Sequence, residues 1–388
     1  MPIGLFALAL AAFAVGTTEF VIIALIPEMA RDLAVSVPTA GLLVSLYAVA
    51  ITVGSPILTA LMGTLQRRPL AIGLMVIFTL GNLLAGVAPN YGVLLAGRII
   101  TGAAHGVFFA IGATVATSLV DKARSGQAVS FMFAGLTVAM VVGVPLGSFV
   151  GQHLGWRAPF LAVVALGAIS VVGLIAFLPK NIPLTRPPGM LSQFALLAKP
   201  QLLGMYMVTV FGYGGSFVVF TYLSPLMTQV TKVSENTVTL ALMLFGAASF
   251  VGNLIGGRIA DRIGPRRTLR FAIIGLCVVL PLLTVSARNP VTMFVGLFVW
   301  GVLLFCISPT VQSGVVAIAE EEAPDAVGTA SGFNIAAFNL GVTIASFAGS
   351  LVMAGPGILA TPWVALASTL LGLAIVQWWL KERRAAFA

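Results

Sequence analysis

Long apolar runs alternate along the chain with short polar segments. Each run is close to the roughly 20 residues that a helix needs to cross a bilayer. Within the runs, apolar residues follow one another without a period of two, which excludes the strands of a membrane barrel. The pattern predicts an all-α membrane protein with twelve transmembrane helices. The predicted spans are residues 3–27, 38–62, 70–88, 92–118, 127–151, 158–178, 201–228, 237–258, 268–287, 290–315, 326–352 and 359–380.

Composition supports this interpretation by excluding other classes. The 388 residues are 59% hydrophobic and 8% charged, whereas a soluble domain carries about 25% charged residues. A soluble enzyme and a disordered chain are both excluded. The net charge of +9 is divided among short clusters between the apolar runs, so we expect no nucleic-acid partner. Cys277 and Cys306 lie inside apolar runs without metal spacing, and we expect no metal and no cofactor.

Lysine and arginine predict the orientation. With the N-terminus inside, 15 of the 20 basic residues fall in inner segments, 4 in outer segments, and Arg98 within a span. Basic residues concentrate on the cytoplasmic side of membrane proteins. We therefore expect a multi-pass protein of the plasma or inner membrane with both termini cytoplasmic. The acidic residues Glu320, Glu321, Glu322 and Asp325 are expected in an inner loop.

The chain divides into two halves that repeat each other. Residues 1–178 form an N-terminal six-helix bundle, 179–200 a cytoplasmic linker, and 201–388 a C-terminal six-helix bundle. A shift of 198 or 199 positions places Arg67–Arg68 on Arg266–Arg267 and 143–151 on 341–349. This duplication suits alternating access, in which one bundle rocks against the other around a midplane site.

Ionisable residues deep in a span all belong to the first half. They are Glu19, Arg98 and His105, and the repeat places Phe217, Leu297 and Leu304 opposite them. A charge at membrane depth costs at least ~2.5 kcal/mol and normally faces a cavity or a partner. Glu19 is interpreted as a reversible proton site or as a plain helix contact. Arg98 is either a residue that senses the charge of Glu19 or a helix clamp. His105 either takes part in a proton relay or a ligand contact, or is a hydrogen-bonded core residue.

Three motifs resemble the major facilitator superfamily, in particular its twelve-span drug:proton antiporters and arabinose-exporter-like sugar efflux permeases. GRIADRIGPRRTL (257–269) resembles the cytoplasmic loop motif, LLAGRIITG (94–102) the buried-arginine motif, and span 5 the glycine-proline motif of antiporters. The resemblance extends over essentially the whole chain. Pro265 and Val144 depart from the usual pattern. The first-half copy of the loop motif, GTLQRRPL (63–70), lacks the aspartate, so any latch is expected to favour the second half.

The resemblance implies a role for Arg98 in proton transfer and for Asp261 in latching the cytoplasmic side shut. Gly264 is expected to turn the chain and Gly257 to let helices touch. The residues predicted to take part in the conformational gate are Gly257, Asp261, Arg262, Gly264, Arg266, Arg267, Gly135, Gly143, Pro145 and Gly147.

The resulting hypothesis is a proton-coupled secondary active exporter of small neutral or cationic amphipathic molecules, drug-like or sugar-like, acting as a monomer. The alternative is a proton-coupled sugar or nucleoside importer of the same fold. An intramembrane enzyme is disfavoured, because a single buried acid cannot form a catalytic pair. The sequence does not identify the substrate. The predicted lining of the substrate cavity is Tyr47, Phe109, Tyr213, Phe220, Tyr222, Gln312, Asn334, Phe338 and Asn339.

Overall fold

The twelve predicted spans are confirmed as helices. The computed structural model describes residues 1–35, 37–182 and 194–386. Within these residues, 12 helical spans are long and apolar enough to cross a membrane. Only helices and closed barrels satisfy backbone hydrogen bonds inside a bilayer, so this outcome follows from the continuous apolar runs. The protein is an all-α, multi-pass membrane protein.

Among the described residues, ten spans are single helices. Numbered by span, they are α1 Ile3–Asp32, α2 Val37–Leu61, α3 Arg67–Gly86, α4 Tyr91–Ser118, α6 Arg157–Phe177, α8 Glu235–Ile263, α9 Pro265–Ser286, α10 Pro290–Glu322, α11 Val327–Ala354 and α12 Thr361–Ala386.

The fifth span, α5, contains a π-helical segment. It runs through Ser125–Val138, the π segment Ala139–Gly143, and Val144–Leu154. Pro145 has no backbone N–H, and its ring would collide with the carbonyl four residues earlier in a regular helix. The wider π turn directly before the proline removes this collision.

The seventh span, α7, is broken more strongly. It consists of Pro200–Met207, a π segment Val208–Tyr213, a 3-10 turn Gly214–Ser216 and Phe217–Phe220, and after a turn it continues as Leu223–Leu226 and a second π segment Met227–Thr231. Two adjacent glycines in the turn weaken a regular helix, because glycine has a low helix propensity. The irregular span of the first half is therefore its fifth, and the irregular span of the second half is its first.

Hydrogen bonds join the two halves near one face of the bundle. The start of α1 and the end of α12 lie on that face because an even number of described spans connects them, and we call it the termini face. The Ser130 hydroxyl on α5 donates to the Asn253 carbonyl on α8. On the other side of the molecule, the Ser55 hydroxyl on α2 donates to the Gly332 carbonyl on α11 at 3.1 Å. These residues all lie in the parts of their helices that are nearer to the termini face.

Two segments predicted as loops are helical. α8 continues to Ile263 and therefore contains Asp261, and α10 continues through Glu322. The expectation of an inner loop at Glu320–Glu322 is thus wrong. Alanine and glutamate have high helix propensity, so α10 continues beyond its apolar part and ends at Glu322, two residues before Pro324. Of the predicted linker 179–200, residues 183–193 lie outside the described residues.

Candidate functional site

Three helices of the N-terminal half bring one charged cluster together near mid-span. Glu19 lies on α1, Tyr47 on α2, and Arg98 and His105 on α4. Arg98 and His105 share a helix face because seven residues are close to two turns. Arg98 is 1% and His105 6% exposed, whereas Glu19 is half-buried. The three residues predicted to take part in proton coupling lie together with Tyr47, which was predicted as a cavity residue.

Arg98 connects three helices through its guanidinium group. Nη1 donates to the Thr18 carbonyl on α1 at 2.9 Å, and Nε donates to the Leu43 carbonyl on α2 at 3.4 Å. The Cζ atom lies 3.9 Å from the centroid of the Tyr47 ring, a cation–π contact. The second terminal nitrogen, Nη2, is buried and has no hydrogen-bond partner. The guanidinium therefore holds the backbone beside Glu19 and keeps one donor unused.

Glu19 interacts with its neighbours through space. Its charge interacts electrostatically with Arg98, with Tyr47 and with Tyr213 on α7. The ion pairs that join Lys122 to Glu320 and Arg157 to Asp32 do not involve Glu19. The carboxyl thus lies within electrostatic reach of a cation in its own half and of an aromatic residue in the other.

Tyr47 lies between the arginine and the histidine. Its hydroxyl is hydrogen-bonded to His105 Nδ1 at 2.9 Å, while its ring carries the Arg98 guanidinium. The rings of His105 and Phe109 are 4.9 Å apart. Tyr47 is therefore the residue through which Arg98 and His105 are connected. The sequence predicts a cavity-lining role for Tyr47, because nothing in it indicates how α2 is rotated against α4.

Glycines of α5 bring α1 close to it. A Cβ at Gly135 would overlap the Ala9 carbonyl, one at Gly143 would overlap the Thr17 side chain, and one at Gly147 would overlap Val21. Small residues let helix backbones approach closely. Because Glu19 lies between Thr17 and Val21 along α1, these contacts fix the distance between its helix and α5. We call the residues Gly135, Gly143 and Gly147 the glycine ladder.

The C-terminal half presents an aromatic cluster in place of charges. Tyr213 contacts Phe338 at a ring distance of 4.9 Å and Phe305 at 5.8 Å. Phe220 contacts Phe245 at 5.0 Å, and Phe245 contacts Phe305 at 6.1 Å. Three of the predicted cavity residues, Tyr213, Phe220 and Phe338, belong to this cluster. Through Tyr213 the cluster also interacts with Glu19.

A chain of neutral polar groups lies beside the aromatic cluster. The Thr209 hydroxyl donates to Asn334 Oδ1 at 2.7 Å, and Asn334 Nδ2 donates to Gln312 Oε1 at 2.7 Å. Gln312 Nε2 donates to the Ser331 hydroxyl, which donates to the Ala110 carbonyl on α4 at 2.6 Å. We call these four side chains the neutral chain. It begins in the C-terminal half and ends on the N-terminal half.

Two of the predicted cavity residues belong to the neutral chain. Gln312 and Asn334 are 0% exposed, so in this conformation neither faces open space. Buried amides need hydrogen-bond partners, and each finds one in the other. Of the remaining predicted cavity residues, Tyr222 and Asn339 are half-buried. Asn339 Nδ2 donates to the Ile335 carbonyl of its own helix at 3.1 Å.

Asp261 joins α8 to the start of α5 at the termini face. Its Oδ1 accepts from the Gly126 N–H at 2.8 Å, and its Oδ2 accepts from the Gln127 N–H at 3.0 Å. The first N–H groups of a helix lack internal partners and attract negative charge. A Cβ at Gly257, one turn earlier, would overlap the Gly126 carbonyl. Gly264, at φ +85°, turns the chain between α8 and α9 as predicted.

The arginines of the same motif differ in their surroundings. Arg266 Nη2 donates to Gln201 Oε1 at 2.7 Å. Arg262 and Arg267 are exposed. The hydrogen bonds of Asp261, in contrast to this one from Arg266 to Gln201, reach the other half.

A second polar cluster lies on the face opposite the termini. Arg157 Nη1 donates to Asp32 Oδ2 at 2.6 Å, and Trp156 Nε1 donates to the same oxygen at 2.9 Å. These two hydrogen bonds, the one from Arg157 first, hold the pKa of the Asp32 carboxyl below its ordinary value. Arg157 Nη2 also donates to the Ala88 carbonyl at 3.0 Å. This cluster, which we call the Asp32 clamp, fastens the end of α1 to its own half.

The neutral chain and the place of Tyr47 could not be predicted from the sequence. Gln312 and Asn334 were visible as polar residues inside apolar runs, but their pairing depends on which faces α10 and α11 turn to each other. Among the described residues, no group of three or more His, Cys, Asp or Glu side chains is arranged to hold a metal ion.

Comparison with protein families gives one match that extends over most of the chain. The family model described as Major Facilitator Superfamily matches residues 8–323 and also 205–386. The chain is similar to the solved structure of FucP in an outward conformation, with a TM-score of 0.78, 16% identity, and coverage of 96% of this chain and 98% of that one. At this level of identity, the similarity concerns the fold alone.

Relatives with higher identity are transport and resistance proteins. The inner membrane transport protein YdhP of Escherichia coli K12 is 40% identical over 98% of this chain and 96% of its own. The chloramphenicol resistance protein of Streptomyces lividans is 35% identical over 91% and 89%. A probable sugar efflux transporter of Pasteurella multocida is 32% identical over 89% and 84%.

Proposed function

The chain belongs to the Major Facilitator Superfamily, and on this premise we propose that it is a proton-coupled exporter that works by alternating access. Members of this family are transporters and not enzymes, which agrees with the prediction made from the sequence. The proposed cargo is a small neutral or cationic amphipathic molecule, and the proposed driving ion is the proton. We place the protein in the inner or plasma membrane with both termini in the cytoplasm, on the strength of the 15 to 4 distribution of basic residues.

The observation that carries the proposal is the position of Glu19. The carboxyl is half-buried near mid-span and interacts electrostatically with Arg98 in its own half and with Tyr213 in the other. Apolar surroundings favour the neutral acid, while the positive charge of Arg98 favours the carboxylate. A group balanced between these two influences changes its protonation when the two halves move relative to each other.

Arg98 supplies a means of coupling. It cannot lose its proton under ordinary conditions, so it meets Glu19 always as a cation. When Glu19 is ionised, Arg98 is attracted to it; when Glu19 is neutral, that attraction disappears. Because the guanidinium also holds the Thr18 carbonyl on α1 and the Leu43 carbonyl on α2, a change in this attraction acts on three helices at once.

The contacts between the halves indicate which state is captured. Asp261 and the Ser55 and Ser130 hydroxyls join the halves near the termini face. We propose that this state is closed towards the cytoplasm and that Glu19 exchanges protons with the opposite side. Binding of a proton there, followed by separation of the termini-face contacts, would carry the proton inwards. Substrate and proton need only bias the same equilibrium and need not touch.

The proposed substrate class follows from the surroundings of Glu19. One acid beside an aromatic cluster suits neutral or cationic amphipathic molecules, through ring contacts and cation–π attraction. The names of two relatives, a chloramphenicol resistance protein and a probable sugar efflux transporter, support export of such molecules. The second name describes efflux of a compound, and the first describes resistance to one.

The proposal is tested in inverted membrane vesicles that contain the protein. With an imposed proton gradient, acid inside, we expect the wild-type protein to accumulate chloramphenicol or a member of a sugar panel, and a protonophore to abolish this. Glu19→Gln keeps the shape of the side chain and cannot ionise, so gradient-driven accumulation should fall to background. Glu28→Gln is the matched control, because Glu28 lies on the same helix and accepts a hydrogen bond from the Trp156 N–H at 3.2 Å.

Three outcomes would contradict the proposal. If Glu19→Gln accumulates substrate with the full dependence on the gradient, Glu19 is not the proton site. Proton-driven movement out of inverted vesicles identifies an importer. Failure of every panel compound to accumulate rejects the proposed substrate class.

A further inference from the structure

Thr18, the residue directly before Glu19, is bonded to two other helices. Its side chain is 0% exposed, and its hydroxyl donates to Asn82 Oδ1 on α3. Its carbonyl accepts from Arg98 Nη1 on α4 at 2.9 Å. The Thr18 carbonyl and the Glu19 N–H belong to one planar peptide group. Both hydrogen bonds therefore constrain the backbone that carries Glu19.

The neighbouring threonine shows that a helix does not require such a bond. The Thr17 hydroxyl donates to the Phe13 carbonyl of α1 itself at 2.8 Å, four residues earlier, which is a common arrangement for threonine inside a helix. The corresponding acceptor for Thr18 is the Ala14 carbonyl. Because the Thr18 hydroxyl donates to α3 instead, it connects two helices.

Asn82 is oriented to accept this bond. Its side chain is 1% exposed, and its Nδ2 donates to the Phe78 carbonyl of its own helix at 2.9 Å. The side-chain amide has one oxygen that accepts and one nitrogen that donates. The bond from Nδ2 therefore fixes which way the amide is turned and presents Oδ1 to Thr18.

The crossing of α3 and α4 holds both partners of Thr18 in place. Gly81 directly precedes Asn82, and Gly97 directly precedes Arg98. A Cβ at Gly97 would lie 2.8 Å from the Gly81 carbonyl, and a Cβ at Gly81 would lie 3.3 Å from the Gly97 carbonyl. Glycines at a crossing let two helix backbones touch. Asn82 and Arg98 are therefore fixed relative to each other.

The contact of α1 with the glycine ladder sets a distance and not a rotation. Glycine has no side chain that interlocks with the facing helix and resists its turning. Side chains reach about 6 Å from a helix axis, so a rotation of about 10° moves a carboxyl group by about 1 Å. The rotation of α1 thus affects how far the Glu19 carboxyl lies from Arg98.

On the basis of the proposed role of Glu19 as the proton site, we propose that Asn82 is a positioning residue of that site. Through Thr18 it sets the rotation of α1, and hence the distance between the Glu19 carboxyl and Arg98. It acts through the helix and not by contact with the proton. Asn82 and Arg98 together hold α1 in one orientation while Glu19 gains and loses its proton.

The titratable groups around Glu19 determine what a rotation of α1 changes. They are Arg98 on α4, Tyr47 on α2 and Tyr213 on α7, and His105 is hydrogen-bonded to Tyr47. The other helices packed against α1 are α3, α5 and α6. They carry no titratable side chain in residues 69–88, 125–152 and 158–177. A rotation of α1 therefore changes the protonation of Glu19 chiefly through its distance from Arg98.

The test follows the protonation of Glu19 in the purified full-length protein, reconstituted in lipid. A pH titration records the infrared absorption of protonated carboxyl groups, and the band that Glu19→Gln removes belongs to Glu19. Asn82→Leu and Thr18→Val each remove one partner of the hydrogen bond and keep the side-chain volume nearly unchanged. Each should shift the midpoint of this band by about 0.5 pH unit or more, in the same direction.

Matched variants separate the hydrogen bond from packing. Thr18→Ser keeps the hydroxyl and loses the methyl group, so its midpoint should stay within about 0.2 pH unit of the wild type. Thr79→Val should also stay there, because the Thr79 hydroxyl on α3 donates to the Met75 carbonyl of its own helix at 2.7 Å. Combining Thr18→Val with Asn82→Leu leaves neither partner unpaired, so this variant also serves where a single one does not fold. Its shift should equal that of a single variant.

Three results would overturn the assignment of Asn82 alone. They are an unchanged midpoint in Asn82→Leu, equal shifts in Thr18→Ser and Thr18→Val, and additive shifts in the double variant. If the wild type has no titrating band that Glu19→Gln removes, the roles of Glu19 and Asn82 are both wrong. Transport by Glu19→Gln with full dependence on the gradient contradicts the proposed function only, since the band still reports whether Asn82 positions the carboxyl.

Discussion

The two halves of the molecule share a scaffold and differ in polar chemistry. In the N-terminal half, Arg98, Tyr47 and His105 form a charged cluster beside Glu19. In the C-terminal half, the neutral chain and an aromatic cluster occupy the corresponding core. Close helix contacts are kept in both: Gly143 meets α1, and its counterpart Gly341 meets α7. Packing between helices has thus been retained from the duplication, while the charged residues that lie deep in a span, Glu19 and Arg98, belong to one half.

The irregular helix also differs between the halves. The first half has a continuous α1 and a π segment in α5, whereas the second half has a broken α7 and a continuous α11. Pro145 has no counterpart in the second half, where Thr343 stands. The helix that carries the proposed proton site is therefore the continuous one, and it rests on a neighbour that contains the π segment. The π segment of α5 thus lies next to the helix that carries Glu19.

Arg98→Lys gives the largest expected effect on this comparison. Lysine keeps the charge but loses the fork that holds the Thr18 and Leu43 carbonyls and the flat contact with Tyr47. Loss of one or two such charge-assisted hydrogen bonds should lower gradient-driven transport by roughly 10- to 100-fold. The measurement uses the compound that the wild type accumulates in inverted vesicles. Arg288→Lys, at an exposed arginine of the C-terminal half, is the control and should stay near wild type.

If Arg98→Lys transports normally, positive charge alone is sufficient at this position. The proposed link from Glu19 to the backbone of α1 and α2 would then be wrong.

Gln312→Leu addresses the neutral half, and its effect should appear in stability. The substitution leaves Asn334 without an acceptor and Ser331 without a donor in a fully buried place. An unsatisfied buried polar group costs about 1–3 kcal/mol, so the melting temperature in detergent should fall by several degrees. Gln377→Leu, at a half-buried position of α12, is the matched control.

The pH dependence of transport by the same variant tests whether the two halves have different roles. Gln312→Leu should keep the pH dependence of transport, because it changes no chargeable group. A shift of that pH dependence by as much as a full pH unit would show that the neutral chain takes part in proton coupling, and the contrast between the halves would have to be abandoned.

Asp32→Asn gives the smallest expected effect and concerns the Asp32 clamp. Since the folded state lowers the pKa of this carboxyl, its contribution to stability is complete above the ordinary value near 4 and is lost as pH falls through the lowered value. Exposed ion pairs are weak, so we expect a melting temperature about 1–3 °C below wild type at pH 7. The difference should vanish under strong acid. Asp121→Asn, at an exposed acid of the termini face, should show neither effect, and a difference that persists in acid would contradict the assigned cause.

Much of the fold could be predicted from the sequence because the membrane restricts the choices. Uninterrupted apolar runs can only be helices, so the spans were found to within a few residues except at their polar ends. α8 and α10 continue beyond their apolar parts to Ile263 and Glu322, where hydropathy gives no signal and helix propensity decides. The turn at Gly264 was predictable because a glycine follows the last helical residues.

The site could be predicted only in part. Glu19, Arg98 and His105 were conspicuous because charges are rare at membrane depth. Tyr47 and the neutral chain were not, since an aromatic or amide residue in an apolar run is common and its role depends on the rotation of neighbouring helices. The contact between Gln312 and Asn334 joins α10 to α11, and no local pattern specifies it.

The glycine ladder of α5 also has a genetic consequence. Every missense change in a glycine codon introduces a Cβ, and at Gly135, Gly143 and Gly147 that atom would overlap α1. No amino-acid replacement at these three positions avoids the overlap, although glycine has the smallest side chain of all residues. In a laboratory evolution experiment that selects against efflux, inactivating changes should therefore accumulate there as readily as at the codon for Glu19.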